Sequence, residues 1–76
     1  MFKVGDRVIP KIDSWKVIKL AYAECKSILP EDPQVFIVMG IYQYPDDNVK
    51  RYNCNCASQG ISAIMLYEHL LKAPEN

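Results

Sequence analysis

Phe2-Lys3-Val4-Gly5-Asp6-Arg7-Val8-Ile9-Pro10 opens the chain and reads as a tight turn feeding a β-strand. Gly5 permits a left-handed or otherwise strained backbone, and the Asp6 carboxylate can accept hydrogen bonds from local N–H groups. The strand is expected over residues 7–12. Pro10 has no N–H to give a ladder, so this strand should lie at an edge or bend there. A turn and strand of this kind predict the entry to a small β-barrel.

Downstream, the strongest strand signal is 34–44, where Val35, Phe36, Ile37, Val38, Met39, Ile41, Tyr42 and Tyr44 leave almost no polar face. A strand apolar on both faces is usually covered on both. Pro45-Asp46-Asp47-Asn48 has the composition of a hairpin turn. A two- or four-residue loop sets Tyr42 opposite Arg51, Ile41 opposite Tyr52, Met39 opposite Cys54 and Ile37 opposite Cys56. One face then carries Ile37, Met39, Ile41, Tyr52, Cys54 and Cys56 and is expected to be core. The other carries Phe36, Val38, Tyr42, Tyr44, Val49 and Arg51, with Asn53 and Asn55. A slip of one residue would ruin this sorting.

Between these strands, Trp15, Ile18, Tyr22, Cys25 and Leu29 recur at spacings of three and four, which favours a helix within 14–29. Asp13 or Ser14 would cap it and Pro30 would stop it. The rival reading is a strand over 15–23, since Val17 and Ile18 are β-branched. After the hairpin, Ser58-Gln59-Gly60 marks a turn, 61–66 a short strand, 67–70 a helical turn and 70–73 a closing strand. The alternative is one helix over 62–72 with Ile64, Tyr67, Leu70 and Leu71 as its stripe. Residues 74–76 form a tail.

Seventy-six residues make a single domain, 1–76, with a small core and a thin stability margin. No apolar run reaches membrane-spanning length, and no charged region followed by a long apolar one marks a signal peptide. A cytoplasmic setting, of a bacterial or host cell, and no membrane partner are therefore expected. Nine basic and nine acidic residues cancel, so whole-molecule attraction to nucleic acid has no support. The odd set Cys25, Cys54 and Cys56 argues against a disulfide framework and for reduced thiols.

Phe2-Lys3-Val4-Gly5-Asp6-Arg7-Val8 resembles the first strand of SH3-like small barrels, KOW-type and tudor-type domains among them. Leu66-Tyr67-Glu68-His69-Leu70-Leu71-Lys72 is similar to their closing 3₁₀ turn and strand. The resemblance covers most of the chain except 13–33, which reads as a helical insertion after the first strand. It implies a mostly β fold with one short helix and non-catalytic binding of proteins, peptides or nucleic acid. Small proteins of bacteriophages and other mobile elements often look like this, which implies an accessory role on a host factor.

Four constellations are candidates for chemistry. Phe36, Tyr42, Tyr44 and Arg51 would form an aromatic and cationic patch suited to a protein partner, because aromatics and arginine dominate binding hot spots. Lys11, Lys16, Lys19 and Lys50, with Lys26 nearby, would contact phosphates if nucleic acid were the ligand. Cys54 and Cys56 share a strand face and, with Cys25 and His69, would make up four zinc ligands. One residue between the cysteines is fewer than zinc sites use, and buried hydrophobic thiols are the simpler reading. Glu68 adjoins His69 in sequence but is expected to point elsewhere, and no nucleophile is placed beside it, so no enzyme, cofactor or catalytic residue is expected. Strand-rich small domains with open edges often dimerise, so a homodimer belongs among the expected assemblies.

Overall fold

The computed structural model describes residues 2–24, 28–43, 45 and 48–74. It is mostly β, with strands β1 (Arg7–Pro10), β2 (Phe36–Gln43), β3 (Lys50–Cys56), β4 (Ile61–Tyr67) and β5 (Leu71–Lys72) and one helix, α1 (Ile12–Glu24). Short 3₁₀ turns, Ala57–Gln59 and Glu68–Leu70, precede β4 and β5. All pairings are antiparallel, in the order β4-β3-β2-β1-β5. The chain ending is therefore strand, turn and strand, not one helix over 62–72.

The opening turn forms as its residues dictate. Gly5 has φ +92°, Lys3 N donates to Asp6 Oδ2 at 2.9 Å, and Asp6 N donates to Lys3 O at 3.0 Å. Gly5 N donates to Val38 O and Val38 N to Asp6 O, which docks the turn on β2. β1 then divides its partners: Arg7 and Val8 pair with β2, whereas Ile9 and Pro10 pair with β5. Pro10 ends the strand where it leaves β2, and the strand stops short of the expected residue 12.

The helix starts earlier than expected. Ile12 is already helical, so Asp13 lies in the first turn, where its charge suits the positive end of the helix, and Ser14 lies inside. Trp15 and Ile18 of the predicted stripe are buried and Tyr22 packs against the core, while Cys25 lies outside the described residues. Trp15 is fully buried, meets Phe36 edge-on at 6.4 Å between ring centroids, and donates its Nε1–H to Pro30 O at 3.0 Å. Leu29 is buried beside it, and Lys19 reaches Glu31 at 3.0 Å, so the segment after the helix is held back against it.

The hairpin register is right near its turn and shifts beyond it. Tyr42 pairs with Arg51 and Ile41 with Tyr52 as the pattern predicts, but a bulge between Val38 and Gly40 then sets Val38 against Cys54 and Ile37 against Asn55. The extra residue moves β2 by one position, which turns its side chains over. Phe36 and Val38 are consequently core, with Tyr52, Cys54 and Cys56, while Ile37 and Met39 are exposed; Ile41 keeps its expected partner Tyr52 and is 41% exposed without any change of register. The expected core face is correct for β3 and inverted for the first half of β2.

A second bulge, in β4, lies between the Cys54–Ile64 and Cys56–Ile61 pairs. Within it Ala63 has φ +56°, and its N–H is held by Asn55 Oδ1 at 2.8 Å. A left-handed alanine costs about 1–2 kcal/mol. Ala63→Gly removes that strain and returns part of the gain to unfolded-chain entropy, so stability is expected to rise by up to about 1 kcal/mol. Urea unfolding of the two proteins checks this.

Candidate functional site

Three strands set one row of side chains on the outer face of the sheet. Arg51 is the register partner of Tyr42 on one side and of Tyr67 on the other. Directly opposed residues share a face, so the three point the same way. The Arg51 Cζ lies 5.1 Å from the Tyr67 ring centroid, and Tyr67 stacks on His69 at 5.8 Å with 17° between planes. Tyr42 is 45% exposed and Tyr67 41%. The guanidinium is thus held against an aromatic face while neighbouring rings stay open to a partner.

Beside this row, Gly40 pairs with Asn53 and Asn53 with Met65. A Cβ on Gly40 would sit 3.2 Å from the Tyr42 ring, so the glycine leaves space for that ring to lie close to the sheet. The Asn53 Oδ1 is buried with no hydrogen-bond partner among the described residues. The resulting surface is aromatic at Tyr42 and Tyr67 and cationic at Arg51.

The predicted patch is only partly assembled. Tyr42 and Arg51 are brought together. Phe36 is a correction: it is 0% exposed, because the bulge turns it inward under Trp15. Tyr44 lies outside the described residues. Tyr67 completes the row and His69 stacks on it, and neither was expected as part of this patch. The signal that leads to them is the β3–β4 register, which the bulge at Ala63 hides from simple alternation.

The lysines do not share one element. Lys16 and Lys19 flank an open depression of about 400 Å³ on α1 with Leu20 and Ala23. Lys19 already bonds Glu31, Lys11 is exposed before the helix, and Lys50 sits on β3 opposite Gln43. Lys26 lies outside the described residues.

Cys54 and Cys56 are free thiols on the buried face of β3. Burial pushes the Cys54 thiol up to about 11. Cys25 lies outside the described residues, and His69 is exposed on the Tyr67 ring. Among the described residues, no three His, Cys, Asp or Glu side chains are grouped to hold a metal ion.

No protein-family model matches this chain, and neither a curated protein nor a solved structure matches it significantly. The site's own geometry therefore carries the functional reading. No helix among the described residues is long and apolar enough to cross a membrane.

Proposed function

We propose that this chain is a non-enzymatic binding module that recognises a protein partner through Tyr42, Arg51, Tyr67 and His69. The observation that carries it is the Tyr42–Arg51–Tyr67 alignment across three strands, with Arg51 stacked on Tyr67. Rings and a prearranged guanidinium lose little freedom on binding, which is why such groups anchor interfaces. The architecture supporting this face is an SH3-like small barrel with a helical insertion. In favour are the central place of β1 between β2 and β5, and the 3₁₀ turn that delivers the chain into β5. A phage or mobile-element accessory protein acting on a host factor is a role such a module would fill. That part of the proposal rests on the resemblance of its opening and closing segments.

The test is affinity capture from bacterial lysate, with and without nuclease, using wild type and the Tyr42→Ala/Arg51→Ala double variant. A protein that survives nuclease is expected on wild type and reduced by more than about tenfold on the variant, as loss of a hot-spot pair requires. Material recovered only without nuclease would move recognition to nucleic acid and to Lys11, Lys16, Lys19 and Lys50. Equal recovery by the folded double variant would place recognition elsewhere on the molecule.

A further inference from the structure

The two edges of the sheet are treated differently by the sequence. β5, at one end, is two residues long and carries Lys72. β4, at the other, is seven residues long, Ile61-Ser62-Ala63-Ile64-Met65-Leu66-Tyr67, with no charge and no proline. Short length, charge and proline are the devices that keep an edge from pairing. β4 has only its bulge, which distorts the beginning of the strand and leaves 64–67 regular. Along this edge runs a groove of about 280 Å³ between β4 and α1, with Val17, Ala21, Tyr22, Ile64, Met65 and Tyr67 among its walls. Every residue lining it is uncharged, and Val17 (66% exposed) and Met65 (45%) leave apolar surface in water.

We propose that the β4 edge is a self-association site, where β4 of a second copy pairs antiparallel through 64–67 and apolar side chains enter the groove. A twofold contact sets each group near its own counterpart, so a charged edge would oppose itself. This edge carries no charge to oppose, nor one that would select an acidic or basic foreign strand. Net charge is zero as well, so two copies approach without repulsion. The pairing continues the β1–β4 sheet across the twofold and brings two Tyr42–Arg51–Tyr67 rows into one bivalent surface. It uses Met65 and Val17, whereas partner capture is tested at Tyr42 and Arg51, so the two readings fail separately.

Sedimentation equilibrium of the whole chain, from micromolar to near-millimolar concentration, tests the proposal. The mass is expected to rise from the 8.7 kDa monomer towards twice that value. Amide exchange at 64–67 is expected to slow with concentration. Met65→Lys should remain monomeric throughout with unchanged circular dichroism. Val17→Lys makes the same test from the helix wall, and carries it should Met65→Lys fail to fold. A wild-type monomer at every concentration overturns the proposal. So does a dimer that persists in the folded variants, or one whose exchange protection lies away from β4.

Discussion

Trp15→Ala is expected to remove about 3–5 kcal/mol of stability, the usual cost of deleting a large buried aromatic. Small domains have only about 5–15 kcal/mol in all, and one of this size lies near the lower end. The variant should therefore be substantially unfolded or molten at room temperature. Trp15 is fully buried, is the contact between α1 and Phe36, and holds Pro30 through its indole N–H. Its removal leaves a cavity where helix, sheet and returning segment meet. Trp15→Phe keeps a ring against Phe36 and loses the bond to an exposed proline carbonyl, so about 1–2 kcal/mol is expected. Chemical denaturation read by far-ultraviolet circular dichroism separates the two. Equal, small losses would show that the helix is not anchored through this residue.

The second large effect is expected above neutral pH. Tyr52 is buried, its hydroxyl donates to the Glu68 carboxylate, and it accepts from Phe2 N at 3.3 Å. Burial foremost, and then the bond to Glu68, raise its pKa above the ordinary 10.0. Cys54 moves the same way, from 9.0 to about 11, through burial alone. For both groups the neutral form is favoured by folding. Their contribution is complete below the ordinary pKa and is lost as pH rises through the folded-state value. Stability should be level from pH 7 to about 9 and fall above it, with Cys54 contributing roughly 2–3 kcal/mol of the fall. Cys54→Val should flatten the first part of that fall. Tyr52→Phe should cost about 1.5–3 kcal/mol at neutral pH, as for hydrogen bonds to charged groups, and flatten the later part. Urea titrations at pH 7, 9 and 10.5 would show this, and parallel curves for wild type and both variants would contradict it.

Much of the fold is legible in the residues, for local reasons. Gly5 and Asp6 specify their turn through backbone freedom and one carboxylate. Trp15, Ile18 and Tyr22 specify the helix by spacing, and the alternation of Tyr52, Cys54 and Cys56 specifies the inner face of β3. What sequence does not disclose are the two bulges. Between Val38 and Gly40, the glycine inside the strand is a sign of a bulge, but it does not fix where a residue is gained. Every residue of that half is apolar, so either register leaves an apolar inner face. The inversion of Phe36 follows, and with it the loss of one member of the expected patch. Tyr67 and His69 escaped for the related reason that a left-handed alanine at 63 has no compositional marker, as a glycine would have had. Tyr42 and Arg51 lie on the turn side of the first bulge, where simple alternation still holds.

The division of β1 between β2 and β5 also orders events in time. β2, β3 and β4 are successive in the chain and meet through short connections, so their pairing closes small loops and can proceed early. The Ile9–Lys72 and Pro10–Leu71 pairs join opposite ends of the chain and must wait until everything between them is compact. The same two pairs, few in number and distant in sequence, are expected to be among the first to part when the molecule opens, so loosening this seam should quicken escape more than it slows assembly.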